Sequence, residues 1–284
     1  MQVFTAMIHG LTLGALLFLV SSGFTIMFGL MRVLNLAHGA FYMWGALIGA
    51  SVLAATGSFL VAILAASLAI ALLGLVTELT LFRRVRGKPI QEVLLTLGMG
   101  MVLGDLALAV FGGHPRRVPA PDFLSGSMDL FGITFPRYRL ALLVIGVLLY
   151  IGLHLALERT RLGATIRAGV DDREMLEALG TNIKLLGTVV FVASAGLVGA
   201  SGLLGAAFLG IYPGADIDIL VLAVVVVIIG GLGSLDGAAL GSVVVGLLFS
   251  FGSVYTPALL YFIIFGPVIV FLFFRPHGLR GVPE

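Results

Sequence analysis

Residues 33–77, VLNLAHGAFYMWGALIGASVLAATGSFLVAILAASLAIALLGLVT, run for 45 positions without a single Asp, Glu, Lys or Arg. A helix rises about 1.5 Å per residue, so roughly 20 apolar residues cross the hydrocarbon core of a bilayer. The stretch is too long for one crossing and long enough for two, with a natural break at Thr56-Gly57-Ser58. It predicts two transmembrane helices joined by a tight turn.

Outward from there, uncharged intervals recur at 1–31, 93–104, 106–115, 140–157, 185–215, 219–235 and 237–274, the last breaking at Tyr255-Thr256-Pro257. Nine crossings are expected: 5–31, 38–56, 58–82, 93–111, 139–157, 185–210, 217–231, 237–254 and 258–274. The seventh is short and β-branched (VLAVVVVII, 221–229), with acids before it and glycines after it. Read instead as a half-helix or re-entrant segment, it leaves eight full passes. The fold class is all-α: a polytopic transmembrane bundle of 8–9 helices, a single domain over 1–284, with one or more broken or re-entrant segments.

Composition agrees. Of 284 residues, 60% are apolar and 11% charged, with a mean hydropathy of +1.18, whereas soluble domains carry about 25% charged residues. The chain has no cysteine, which excludes a disulfide framework, a thiolate metal site and a cysteine nucleophile. The net charge of +2 and pI near 9.2 arise from a few loop charges, so the partner is the lipid bilayer and no nucleic acid is expected. The 39 glycines suit close helix packing.

No Lys or Arg precedes the first apolar run and no small-residue site ends it, so it is read as a membrane helix and not a cleavable signal. Arg32, 83–92, 158–184 and the tail hold twelve basic residues, while Arg116, Arg117, Arg137 and Arg139 make four on the other side. The positive-inside rule makes the first set cytoplasmic. With nine passes the N-terminus is then outside and the C-terminus cytoplasmic.

Chemistry is sparse. Lys88 precedes proline and Lys184 lies between isoleucine and leucine, so neither belongs to a phosphate-binding G-x-x-x-x-G-K-[ST] loop. No H-E-x-x-H spacing occurs among the five histidines and no G-x-S-x-G elbow occurs. No catalytic residue, metal or cofactor is expected, which also leaves a lipid-modifying membrane enzyme without a catalytic set. Ion-coupled carriers bury acids in their helices. Here Glu78 either snorkels or pairs with Arg83, and Asp105 is either a packing acceptor or a pathway residue, while Asp216, Asp218 and Asp236 fall near helix ends.

Segment 158–184 holds ten of the thirty charges. Within it, RAGVDDREMLEALGTNIKLLG (167–187) reads as helix, turn, helix. Asp171 with Glu174 fits an acidic capping box, Gly180 a left-handed C-terminal cap, and Thr181 or Asn182 an N-cap of the next helix. Met175, Leu176 and Leu179 form an apolar stripe. Two turns of helix are unstable alone, so this one must lie on the bundle, the lipid interface or another protein.

Two further segments suggest a pathway. In LNLAHGAFYM (34–43), Asn35 can cap a helix starting near Leu36, with His38 and Gly39 in its first turn. Such an N-terminus can hold a carboxylate; alternatively Asn35 is only the cap and His38 a packed histidine bonded to a carbonyl. In GGLGSLDG (230–237) the glycines break a helix, making Gly230, Gly231, Gly233 and Ser234 either pathway residues or a cytoplasmic turn.

EALGTNI (177–183) is similar to the glutamate-alanine-alanine, then glycine, loop of permease subunits of ABC importers. LNLAHGAFYM, GGLGSLDG and the tail FRPHGLRG (274–281) resemble segments of branched-chain amino-acid importer permeases, in the same order. Asp236 departs from that pattern, which expects a small residue or proline. The resemblance implies half of an ATP-driven translocation pathway for branched-chain or other small amino acids in a bacterial inner membrane. It implies a second homologous permease, two cytoplasmic ATPase subunits and a periplasmic or extracellular substrate-binding protein, the last touching the external loop 112–138. The short helix becomes a cytoplasmic coupling helix, with Asp171, Asp172, Glu174, Met175, Leu176, Glu177, Ala178, Leu179, Gly180 and Asn182 meeting the ATPase. The alternative is a self-sufficient ion-coupled secondary transporter or channel using Asp105 and Glu78.

Overall fold

A computed structural model describes residues 2–32, 34–130, 133–275 and 278–280. Eight of its helices are long and apolar enough to cross a membrane: α1 (Gln2–Met31), α2 (His38–Thr56), α3 (Phe59–Val85), α4 (Pro89–Phe111), α5 (Arg137–Arg159), α8 (Ile183–Leu209), α10 (Leu235–Tyr255) and α11 (Pro257–Phe274). Two short helices, α6 (Arg161–Asp171) and α7 (Arg173–Ala178), follow α5, and α9 (Ala215–Gly230) lies between α8 and α10. A hairpin of β1 (Ser127–Leu130) and β2 (Ile133–Pro136) adorns the loop after α4, an element the periodicity of the sequence does not announce.

The turn after α2 falls where the 45-residue run breaks. Gly57 adopts φ +67 and its N–H bonds Leu53 O at 2.8 Å, while the Ser58 hydroxyl accepts the amide of Val61 to start α3. Helices α1, α2, α8, α9 and α10 form the buried centre, and glycine makes it possible. A Cβ on Gly14 would stand 2.8 Å from Ser242 O, and one on Gly49 2.9 Å from Leu203 Cβ. Small residues let backbones approach and gain packing that lipid cannot replace. Helices α3, α4, α5 and α11 turn leucines, valines and phenylalanines outward, as lipid-facing helices do.

Two features break the simple up-and-down pattern. After α1 ends, the chain climbs back into the bundle before α2 begins: His38 Nε2 lies 3.0 Å from Val20 O, eleven residues and about 16 Å from the end of α1. The doubtful seventh segment is α9, whose 16 residues measure about 24 Å, short of the roughly 30 Å hydrocarbon core. It runs beside α1, with Ser21 Oγ donating to Ala223 O at 3.4 Å.

One cap of the charged loop is shifted by one residue from the expected register. Asp171 ends α6, and it is Asp172 whose carboxylate accepts the amide of Met175, at 2.9 Å. Adjacent acids satisfy the same spacing rule, and the longer α6 decides between them. Gly180 takes φ +86, and Asn182, not Thr181, caps α8 through the Leu185 amide at 3.0 Å. The expected stripe also divides: Leu176 is buried, whereas Met175 is 57% and Leu179 76% exposed.

Candidate functional site: a cleft and a docking helix

Between α2, α4 and α9 lies a cleft of about 420 Å³. Its floor is Leu36 and Ala40, at the re-entrant start of α2; its walls include Leu97, Gly100 and Gly104 of α4 and Leu220 of α9. The re-entry is held by backbone-directed bonds. Asn35 Oδ1 accepts the amide of Ala37 at 3.1 Å, Asn35 O accepts that of His38 at 3.1 Å, and the Thr96 hydroxyl donates to Leu34 O at 3.3 Å. Helix α2 therefore starts at His38, not near Leu36, and Asn35 closes the turn before it. Next to the lining residues Met43 and Gly104, Trp44 Nε1 donates to Leu103 O at 2.9 Å and joins α2 to α4.

The eight residues singled out as pathway candidates do not gather in one place. Asp105 lines the cleft. Asn35 and His38 are sealed behind it, and His38 meets a carbonyl as a packed histidine does. Gly39 lies against Asp216 O and gives α2 and α9 room to touch. Gly230, Gly231, Gly233 and Ser234 form a turn at the bundle's basic end, where a Cβ on Gly233 would lie 3.0 Å from Gly29 Cα.

That turn is joined to the tail. The amides of Leu279 and Arg280 donate to Ile229 O and Gly230 O at 2.8 and 3.1 Å, satisfying carbonyls that end α9. Asp236 binds the same tail: Arg280 Nη1 lies 2.6 Å from Oδ2, and Tyr150 on α5 donates to Oδ1 at 2.9 Å. A small residue there would leave Arg280 without this anion. Pro276, His277 and Gly281 of the tail motif lie outside the described residues.

Glu78 is buried where α3 loosens into a π turn (Glu78–Phe82), and its partner is chiefly Arg86, with Arg83 Nε at 3.7 Å and the Thr188 hydroxyl at 2.9 Å. Nearby, α7 presents Met175, Glu177, Ala178 and Leu179 outward while Leu176 anchors it. Asp216 lines the cleft too, a residue that its place before the short helix marked only as an acid near a helix end. Asp218, two residues on, is tied to Tyr212 at 2.9 Å, and burial with that bond pushes the Tyr212 hydroxyl up to about 12.

Fold and site thus define a multi-pass membrane protein with a solute-sized cleft between its helices and a short exposed helix at its basic end. The profile of the branched-chain amino acid transport system permease component family matches residues 6–272, and the chain belongs to that family. It is 29% identical over 293 residues to the high-affinity branched-chain amino acid transport system permease protein BraD of Pseudomonas aeruginosa, covering 98% of this chain and 95% of that one. The permease protein LivH of Escherichia coli K12 is 26% identical over the same shares. The probable branched-chain amino acid transport permease LivH of Methanocaldococcus jannaschii is 24% identical over 94% of this chain and 89% of that one. No solved structure shows a significant match.

Proposed function

We propose that the chain is one half of the membrane pathway of an ATP-driven importer of branched-chain amino acids, completed by a second homologous permease, two ATPase subunits and an external binding protein. The observation that carries this reading is the outward apolar edge of α7: Met175 and Leu179 are largely exposed on a capped helix held to the bundle through Leu176. A six-residue helix has no stability of its own, and an apolar edge flanked by Arg173, Glu174 and Glu177 is suited to a protein groove. Asp172 caps its start and Gly180 turns the chain after it, between Asp171 at the end of α6 and Asn182 at the cap of α8. The charge bias favours this end in the cytoplasm and the 112–138 loop outside, facing the binding protein. The relatives' names supply the substrate class. ATP closure of the ATPases then moves α7, and the permeases tilt between outward- and inward-open states without covalent chemistry in this chain.

The test is reconstitution. The complete complex should take up leucine on ATP hydrolysis, and the chain alone should not. Glu177→Arg should keep its ATPase subunits, since Glu177 supports nothing inside the bundle, yet hydrolyse ATP without uptake. Normal uptake by that variant, or gradient-driven uptake by the chain alone, would count against the reading.

A further inference from the structure

Glu78 is fully buried and both of its oxygens are engaged. Oε1 accepts Arg86 Nη2 from the turn between α3 and α4, and Oε2 accepts the Thr188 hydroxyl of α8 at 2.9 Å. Among the described residues Glu78 is the one ion-pair partner of Arg86, whose Nε is buried there without a hydrogen bond. The turn that carries Arg86 is stiff. The Lys88 amide donates to Val85 O at 3.0 Å, and Glu92 of α4 accepts the Gly87 amide at 2.8 Å. Whatever holds Arg86 therefore holds the start of α4. Before Glu78, α3 is locked to α8: Ser67 Oγ donates to Gly196 O at 3.0 Å, and a Cβ on Gly74 would stand 2.6 Å from that of Ala195. At Glu78 the lock ends and α3 widens into its π turn, a distortion frequent at functional positions.

Further along α4, two hydrogen bonds join it to α2 and the re-entry before it, Trp44 to Leu103 O and Thr96 to Leu34 O. The other side of the Glu78 tie leads to α7. Four residues, 179–182, separate α7 from α8. They are held by the Thr181 amide on Leu176 O at 3.3 Å and by the Asn182 cap. Thr188 stands in the second turn of α8. Arg173, the first residue of α7, lines with Arg86, Leu30 and Gly187 a hollow of about 10 Å³, room for about one water. A shift of α7 cannot be absorbed in so tight a junction and passes into α8 and the Arg86 turn. We propose that Glu78 is a positioning residue that couples the cleft wall to the docking helix: through Thr188 and Arg86 it makes α4 follow the first turns of α8 when α7 moves. Without it, α8 moves while α4 stays behind, and ATP hydrolysis no longer works the cleft. This rests on α7 being the ATPase-docking helix, as proposed above.

Thr188→Val cuts the α8 side of the tie and leaves the Glu78–Arg86 pair in place. In the complete importer in proteoliposomes, with leucine-loaded binding protein, leucine uptake per ATP hydrolysed should then fall about tenfold, the weight of one hydrogen bond to a charged group. Thr188→Ser should restore most of it. Glu78→Met with Arg86→Met removes both charges at little loss of stability and should uncouple in the same way. The chain lacks cysteine, so Met101→Cys gives one thiol on the α4 wall of the cleft. Its rate of reaction with a neutral maleimide should differ about fivefold or more between the nucleotide-free and vanadate-trapped complexes, the low end of coupling between sites. That difference should collapse in Thr188→Val. Uptake per ATP at the wild-type ratio in either variant, a labelling difference that Thr188→Val leaves intact, or no difference in the wild type overturns the inference while leaving the importer reading intact. If Thr188→Val loses its ATPase subunits, the doubly substituted variant decides; loss there as well means that the contact only holds the fold, which overturns the inference too. A wild-type complex that takes up none of leucine, isoleucine and valine sinks the importer reading itself.

Discussion

Replacing Glu78 with methionine strips a nearly buried arginine of its counter-ion. Arg83 is half exposed at 3.7 Å, so its share is at most about 1 kcal/mol. The Thr188 hydroxyl also donates to Lys184 O at 2.9 Å and keeps a partner. The cost therefore rests on Arg86, whose side chain is 15% exposed. Removing one member of a buried pair costs about 3–5 kcal/mol, because the other charge stays behind; the low end suits a residue this close to the basic surface. Removing both charges with Glu78→Met and Arg86→Met leaves two apolar side chains and should cost about 1 kcal/mol or less. The cycle should then show coupling of about 2 kcal/mol or more. The readout is SDS titration in mixed micelles followed by fluorescence of Trp44, the sole tryptophan, whose bond to Leu103 reports the α2–α4 contact. If the double variant loses the sum of the two single losses, within about 0.5 kcal/mol, the pair is not the buried interaction described here.

Gly202→Val should destabilise the bundle by about 1–3 kcal/mol, because a Cβ there would stand 2.6 Å from the Ala46 amide, and backbone cannot step aside. The same titration checks it, and wild-type stability would mean that α2 and α8 do not pack backbone to backbone. Gly180→Ala should cost α7 about 1 kcal/mol, since φ is +86 there. Hydrogen exchange should quicken over 173–182 and nowhere else, and unchanged protection would argue against the left-handed cap.

Charge spacing reveals the crossings because the bilayer punishes charge over a fixed thickness. That same counting cannot see depth, so the climb of 34–37 back to the level of Val20 is invisible in it. Local hydrogen-bond grammar is equally informative at Gly57, Gly180 and Asn182; it misplaces the choice between adjacent acids at 171 and 172 and the start of α2, which falls at His38. The cleft is harder. Asp105 stands out as an acid inside an apolar run, but Asp216 resembles any acid at a helix start until Gly104, from a distant part of the chain, is laid beside it. Met175, Leu176 and Leu179 share a spacing but not an environment, because the packing of α7 on its neighbours selects Leu176 alone.

The packing also divides the walls of the cleft by how firmly they are held. Helices α1, α8, α9 and α10 meet through glycines whose replacement would strike backbone: Gly10 against Leu247 Cα at 2.9 Å, Gly23 against Ser194 O at 3.0 Å, and Gly241 against Val226 O at 2.6 Å. Such seams cannot slide without collision, so these helices shift as one body. Helix α4 has no equivalent. A Cβ on Gly98 would meet nothing within 4 Å, one on Gly100 would reach ordinary contact with Leu36 O at 3.5 Å, and one on Gly104 would touch only the tip of Asp216. Asp216 therefore belongs to the tightly seamed core and Asp105 to the helix with slack around it. The width of the cleft is set by where α4 sits, and a displacement of α4 carries Asp105 toward or away from Asp216.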